Sequence, residues 1–201
     1  MAEGSPSSTE AETPRGRLIG AMAESIAEKG YRETTVADIV AHARTSRRTF
    51  YEHFNDRADC FLALFEQKTQ TRMAEIAAAV DPEVDLVDQI DRAIDVFLEG
   101  ESMEPELQRS FVRELPGLPE ATEVVHESLE RYASMLVAMT EAARERHPEI
   151  KRPLSRDIAV ILVGGLRELL VISIQDGRDL HELKEAAVTV TRAILNAVKD
   201  A

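Results

Sequence analysis

Apolar residues recur three and four positions apart along most of this 201-residue chain, and no stretch of useful length alternates as a β-strand would. Proline and glycine interrupt this period at points that mark helix ends, as at Pro82, Gly100 and Gly177. The pattern predicts an all-α fold of about nine helices, three in an N-terminal unit and six behind it. The predicted segments are 14–30, two short helices within 35–57, and then 56–79, 84–99, 104–114, 119–146, 155–176 and 179–199.

The two short helices within 35–57 are predicted to surround a tight turn. Thr35 followed by Asp38 is a capping-box pattern, which satisfies backbone N–H groups at a helix start. A hydroxyl residue before the second helix can cap it in the same way. Phe50 and Phe54 lie four positions apart in that helix, so they are predicted to share a buried face.

The same second helix presents a row of basic, hydroxyl and imidazole side chains between its phenylalanines. In a helix-turn-helix, the second helix enters the major groove of DNA and its N-terminal residues reach base edges. Arg47 and Arg48 occupy that N-terminal end, and arginine is the usual bidentate ligand of guanine. We expect both to contact bases or phosphates; the other interpretation is a solvated basic turn.

This segment resembles the DNA-binding domain of the TetR (tetracycline repressor) family of bacterial regulators, over roughly residues 14–62. The matched motif is Thr35-Val36-x-Asp38-Ile39-x-x-x-Ala43 followed by Ser46-x-x-Thr49-Phe50-Tyr51-x-His53-Phe54. Arg57 falls where the family usually has a lysine or arginine. The chain departs from the family at Arg44 and Thr45, where Gly-Val is frequent, and at Arg48, where glycine is frequent. The two added arginines increase the positive charge of the DNA face.

The resemblance implies a division into a DNA-binding domain over 14–57 and an effector-binding and dimerisation domain over 58–201. Hydroxyl and imidazole groups in the motif resemble family positions that touch backbone phosphates, a contact that fixes register without reading sequence. For Thr35 a helix-capping role alone is the other interpretation. The residues expected to contact DNA are Thr35, Arg44, Thr45, Ser46, Arg47, Arg48, Thr49, Tyr51, His53 and Arg57.

Charge and composition narrow the class of protein. The net charge is −13, but residues 13–57 carry eight Lys or Arg against six Asp or Glu, giving +2 and leaving −15 for the remainder. This asymmetry would orient the basic end towards phosphate. The composition of residues 1–13 indicates a disordered tail rather than a signal peptide. One cysteine, Cys60, excludes an intrachain disulfide and fits a cytoplasmic protein, with inert packing as its expected role.

The last two predicted helices are unusually apolar, which favours a homodimer. Residues 158–166 have no polar face, so this segment must be buried on more than one side. The final helix carries an alternating three–four apolar seam typical of a helix bundle. An ordinary monomer core is the alternative; the resemblance implies a two-fold four-helix interface. The predicted interface residues are Ile161, Gly164, Gly165, Leu183, Ala187, Val190 and Ile194.

TetR-like proteins generally bind a small molecule within their C-terminal helices, so the resemblance also implies an effector pocket. Methionine and aromatic residues in those helices are its candidate lining, although such residues are more often plain core. The candidates are Phe65, Phe97, Met103, Phe111, Tyr132, Met135 and Met139. Two charged pairs beside apolar segments could face the pocket, the dimer partner or each other: Arg113-Glu114 and Arg167-Glu168. The effector itself has no signature in the sequence.

Catalytic motifs give little support to an enzyme. Glu123 and His126 form half of a di-iron helix-bundle motif, whose second Glu-x-x-His pair is missing from the sequence. No phosphate loop, Cys-x-x-Cys pair or nucleophile elbow occurs. We therefore expect no catalytic residues, metal or cofactor. The sequence predicts a dimeric repressor that binds a pseudo-palindromic operator and is released by an effector. The alternative is an acidic helical-bundle protein-interaction module without sequence-specific DNA binding.

Overall fold

The computed structural model describes residues 13–146 and 153–200, with side chains described as far as Ile194. The described residues form nine α-helices and two short 3-10 turns, with no strand among them. The all-helical prediction is therefore confirmed. The predicted tail at 1–13 lies outside the described residues except for Thr13. The helices are α1 Pro14–Glu33, α2 Val36–His42, α3 Arg47–His53, α4 Arg57–Ala79, α5 Leu86–Met103, α6 Pro105–Glu114, α7 Ala121–Arg146, α8 Arg156–Asp176 and α9 Leu183–Asp200.

Side-chain caps explain where several helices start. Four helices begin after a hydroxyl residue whose oxygen accepts a backbone N–H from the first turn: Thr13, Thr35, Ser46 and Ser155. Pro14 at the first position of α1 adds a backbone angle already suited to a helix. The last helix begins later than the predicted residue 179, because Asp179 accepts from the N–H of His181 in a 3-10 turn and α9 begins only at Leu183.

The chain divides into two compact units. The first takes in the chain up to Ala74 together with Glu104–Val124, and the second takes in Glu75–Met103 and the chain from Val125 onwards. The first unit thus contains α1–α3, most of α4 and the whole of α6, which packs against α1. The predicted end of the DNA-binding domain at residue 57 consequently lies inside this first unit.

The core of the first unit is aromatic. The rings of Tyr31, Phe61 and Phe111 form a continuous series, with centroids 4.2 Å and 5.2 Å apart. Phe65 meets the Phe111 ring edge-on at 5.2 Å. Cys60 is fully buried beside this series, and burial raises the pKa of its thiol to about 12. A thiol in this state stays protonated, which agrees with an inert packing role.

The core of the second unit is aliphatic and joins α5, α7, α8 and α9. Its buried members are Leu86, Ile90, Ile94, Leu98, Ala143, Leu170, Leu180, Leu183 and Ala187. The last helix therefore turns Leu183 and Ala187 inwards, where they are 1% and 9% exposed. Both were predicted to face a second subunit, but they pack inside this one. Lys184–Asp95 and Arg192–Asp91 ion pairs join α9 to α5 on the outside of this core.

The position of Leu183 can be tested by its effect on stability. Leu183→Ala removes buried methyl groups and leaves a cavity, so the free energy of unfolding should fall by about 2–5 kcal/mol. Met103→Ala removes a similar volume from a side chain that is 80% exposed, and it should change stability by less than about 0.5 kcal/mol. Urea unfolding followed by circular dichroism would measure both. Equal losses for the two variants would contradict the core assignment.

Candidate nucleic-acid interface

Helix α3 is held by its two phenylalanines. Phe50 and Phe54 are 0% and 2% exposed, with ring centroids 5.6 Å apart, and α3 packs through this face against α1 and α2. The guanidinium of Arg15 lies 5.2 Å from the centroid of the Phe54 ring. One face of α3 is therefore fixed in the core, and the opposite face has no other element of the unit to cover it among the residues described here.

The uncovered face of α3 brings together the basic and polar side chains that the sequence singled out. Arg47 and His53 are exposed, and Tyr51 is 60% exposed with its ring edge against Phe50. The Arg48 side chain is 90% exposed, and its Nε donates to Oε1 of Glu52 at 3.1 Å. The terminal nitrogens of Arg48 remain outside that bond. This row could donate to base edges or phosphates without any rearrangement of the core.

Glu52 is a member of this face that the sequence analysis did not consider. It lies four residues after Arg48, a spacing at which opposite charges meet on a helix surface, so the pair was open to prediction. An exposed pair of this kind contributes little to stability. Its consequence is local: one carboxylate stands among the arginines of the exposed face.

The turn between α2 and α3 places three further predicted residues beside this row. Arg44 is exposed and has a φ of +49°, and Thr45 is half-buried. Ser46 caps α3 by accepting from the Thr49 N–H at 3.1 Å, and the two hydroxyls lie 3.1 Å apart. Residues 44–49 thus form a continuous strip that runs from the turn into the first turn of α3.

Thr35 has the capping role that its spacing predicts. Its Oγ1 donates to Oδ2 of Asp38 at 2.6 Å, and its backbone N–H donates to the same oxygen at 2.8 Å. The ion pair with Lys29 at 2.7 Å and the Thr35 bonds hold the pKa of Asp38 well below its usual range. The hydroxyl of Thr35 is therefore already bonded within the unit, and its exposed side can still approach a phosphate.

Arg57 is used differently from its prediction as a phosphate ligand. Its Nη1 donates to the backbone carbonyls that follow Gly30, namely those of Tyr31 at 3.0 Å, Arg32 at 3.3 Å and Thr34 at 2.5 Å. The guanidinium carbon also lies 4.2 Å from the centroid of the Tyr31 ring. A phosphate contact by Arg57 would have to use its other N–H groups. Its internal role has no local signal, because its partners lie more than twenty residues upstream.

His42 ties α1 to α2 at the edge of this unit. Its Nδ1 lies 3.0 Å from the carbonyl oxygen of Asp38 and 3.2 Å from Oγ of Ser25, whose hydroxyl donates to Ala21. Its Nε2 lies 3.2 Å from Oε1 of Glu28. In its protonated form the ring can donate to each of these three neighbours. The Asp38 carbonyl first, and then Glu28, raise the pKa of His42.

This geometry agrees with comparisons to known proteins. Residues 18–64 match the model of the bacterial regulatory proteins of the tetR family. Over this segment the chain is similar to the TetR family.

Two curated TetR-like relatives come from Pseudomonas putida. The HTH-type transcriptional regulator CymR is 34% identical over 92 residues, which cover 43% of this chain and 45% of CymR. The HTH-type transcriptional regulator TtgR is 33% identical over 78 residues, which cover 36% of this chain and 37% of TtgR. The chain therefore spans less than half the length of the curated relatives it matches.

Solved structures extend the likeness over nearly the whole chain. A TetR-family regulator from Pectobacterium atrosepticum has a TM-score of 0.71 at 21% identity, covering 96% of this chain and 97% of its own. The regulator FadR from Bacillus subtilis, solved in complex with stearoyl-CoA, has a TM-score of 0.70 at 21% identity, covering 87% and 95%. At these identities the likeness establishes the TetR-family fold alone.

The residues predicted for a TetR-type dimer interface fall into two groups. Ile161 and Val190 are 67% and 53% exposed, and Gly165 is exposed. Gly164 is half-buried, with Leu129 3.9 Å from where its Cβ would stand, and Ile194 packs on a small internal cluster. With Leu183 and Ala187 in the core, the exposed apolar residues of the last two helices include Ile161, Gly165 and Ile172 on α8 and Val190 on α9.

The predicted effector-pocket residues are distributed between the two units. Phe65 and Phe111 belong to the aromatic core of the first. In the second, the rings of Phe97 and Tyr132 meet edge-on at 5.9 Å, Met135 and Met139 are half-buried, and Met103 is 80% exposed. Their assignment to a pocket stays a prediction.

A cleft of about 150 Å³ in the second unit is lined by none of these candidates. Its lining residues are Asp95, Leu98, Glu99, His181 and Lys184. Drug-sized ligands generally occupy about 300 Å³ or more, so this cleft is too small for one. Among the described residues no three His, Cys, Asp or Glu side chains are grouped so as to hold a metal ion.

The two charged pairs lie at the surface. Glu114 bonds Nε of Arg32 at 2.8 Å, joining α6 to the end of α1, while Arg113 is exposed. Arg167 and Glu168 are exposed on α8. No helix in the described part of the chain is both long and apolar enough to cross a lipid bilayer.

The raised pKa of His42 predicts how the stability of the protein depends on pH. A histidine whose folded-state pKa is raised binds its proton more tightly in the folded protein than in the unfolded chain. Its contribution to the free energy of unfolding is therefore complete below the ordinary pKa of about 6.5. This contribution is lost as the pH rises through the raised pKa. The stability difference between the wild type and His42→Gln should therefore shrink as the pH rises across this window, which urea unfolding would measure.

The same shift should be visible by nuclear magnetic resonance titration of His42. Glu28→Gln should lower the pKa only partly, because the Asp38 carbonyl remains. A His42 pKa at or below the ordinary value in the folded wild type would contradict the imidazolium assignment.

Proposed function

We propose that this protein is a homodimeric, sequence-specific DNA-binding repressor of transcription that a small-molecule effector releases from its operator. The observation that carries the proposal is the exposed face of α3. Arg47, Arg48, Tyr51 and His53 are held outwards there by a helix whose other side is buried through Phe50. Short exposed helices with this composition suit a major groove, because arginine donors match guanine acceptors.

The distribution of charge supports DNA as the partner. Residues 13–57 carry a net +2 while the rest of the chain carries −15. Phosphate would attract the first and repel the second, which limits the orientations in which the protein can approach DNA. The acidic remainder is also the feature that favours the alternative, an acidic helical-bundle interaction module. That alternative predicts weak and sequence-indifferent DNA binding.

The dimer is supported by the uncovered apolar stripe on α8. Ile161, Gly165 and Ile172 follow helical spacing along one face that also carries Glu168, and this face is exposed in the single chain. Two large aliphatic side chains so exposed on one helix mark a surface that another protein can cover. A two-fold axis there would present two copies of α3 to two half-sites, as a pseudo-palindromic operator requires.

Release by an effector is supported by the family and by the fold. FadR from Bacillus subtilis, which shares this fold, has been solved with stearoyl-CoA bound. An effector releases DNA only if it binds the non-DNA conformation more tightly, since equal affinity for both conformations shifts nothing. The chemistry of the effector of this protein is left open by the proposal.

The first experiment is selection of bound fragments from a random or genomic DNA pool, read by sequencing. It should be carried out at about 0.15 M salt, because lower salt inflates non-specific phosphate binding. We expect an inverted repeat to be enriched. A folded, effector-free dimer that enriches no sequence would contradict the proposal and favour the interaction module.

The interface proposal has its own test. Ile161→Asp places a charge in the apolar stripe and should shift the protein from dimer to monomer in sedimentation velocity. Val84→Asp places the same charge at an exposed valine, 38% accessible and outside the stripe, and should leave the dimer intact. If the Ile161→Asp protein is still a dimer, the interface must lie elsewhere.

A further inference from the structure

Helix α2 ends in a backbone motif that normally requires glycine. The N–H of Thr45 donates to the carbonyl of Val40 at 2.9 Å, and the N–H of Arg44 donates to that of Ala41 at 3.2 Å. These are the two bonds of a Schellman motif, in which the residue at the Arg44 position takes the left-handed conformation. Arg44 has a φ of +49°, and it is the one non-glycine residue with positive φ in the described parts of the chain.

The end of α8 shows the same motif with its usual residue. The N–H of Arg178 donates to the carbonyl of Ser173 at 2.9 Å, and that of Gly177 to the carbonyl of Ile174 at 3.3 Å. Gly177 has a φ of +68°. A side chain with a Cβ destabilises this conformation because the Cβ crowds the backbone, and glycine avoids the cost. The chain therefore uses glycine at one such site and arginine at the other.

Nothing within the described protein explains the arginine. The Arg44 side chain is exposed, and no carboxylate or carbonyl of the described residues bonds its guanidinium. The residue precedes the Ser46 cap of α3 by two positions. It belongs to the strip of residues 44–49 that also carries the exposed Arg47 and Arg48, so its guanidinium adds to the positive charge that a phosphate would meet there.

We propose that Arg44 binds a DNA backbone phosphate, and that this contact explains why a strained arginine stands in a glycine position. The inference rests on the proposed DNA-binding function. It adds that Arg44 lowers the folding stability of the protein and raises its affinity for DNA. A phosphate contact fixes the position of the protein without reading bases, so it should strengthen binding to all sequences alike.

Arg44→Gly should therefore raise the folding stability and lower the DNA affinity. Relief of strain should raise the melting temperature by about 2–4 °C. Loss of one exposed charge contact should weaken DNA binding about two- to fivefold per subunit, by the same factor on operator and random DNA. The slope of log affinity against log salt should become shallower by about one per subunit.

Three further variants separate strain from charge. Arg44→Ala keeps the strain and loses the charge, so affinity should fall while the melting temperature stays near that of the wild type. Arg44→Lys keeps both strain and charge and should resemble the wild type in both measurements. Gly177→Arg is the matched control: no heavy atom lies within 4 Å of an added Cβ, so it should lower the melting temperature through backbone strain alone and leave DNA affinity unchanged.

The measurements are thermal melts at equal protein concentration and fluorescence anisotropy with the selected operator and a scrambled duplex. A more stable Arg44→Gly protein with unchanged DNA affinity would overturn the phosphate assignment while leaving the proposed function intact. An affinity loss on the operator alone would also overturn it and indicate base contact instead. A wild-type protein that binds neither duplex would overturn the proposed function, and this inference with it.

Discussion

The guanidinium of Arg57 joins three helix ends, and the placement of the exposed helix α3 depends on it. Gly30 leaves helical geometry with a φ of +77°, and of the carbonyls that follow it, that of Tyr31 accepts from the N–H of Thr34 at 3.1 Å. Arg57, the first residue of α4, donates to those of Tyr31 and Thr34 from across the unit. A charged donor is well suited to a helix C-terminus, where the backbone dipole is negative. The end of α1, the start of α2 and the start of α4 are thereby fixed relative to one another.

A protein with a net charge of −13 can still present a basic surface, because some of its basic side chains have carboxylate partners and others do not. In the second unit several basic side chains are tied to carboxylates, as in Lys184–Asp95 and Arg156–Glu130. In the first unit, Arg44 and Arg47 have no carboxylate partner among the described residues. These two donors lie on the surface that DNA would meet in the proposed function, where no neighbouring carboxylate cancels their charge.

Local chemistry was sufficient to predict most of the helices and the core of the first unit. The capping box at Thr35, the cap at Ser46 and the glycine end at Gly177 all occur as their residue types require. Phe50 and Phe54 are buried, as their four-residue spacing predicts. These features depend on neighbours a few positions away, so the sequence alone contains the information that specifies them.

The remaining features depend on which distant element a side chain meets, and spacing alone does not carry that information. The seam of α9 was predicted correctly as apolar, but Leu183 faces the core of its own subunit while Val190 is exposed. Arg57 shows the same limit, since a motif position usually associated with phosphate is used here to bond backbone carbonyls. In both cases periodicity identifies a side chain that must be partnered, and the tertiary fold decides the partner. The same reasoning gives weight to Arg44: its backbone conformation is locally costly, and the part of the protein described here supplies no partner that offsets the cost.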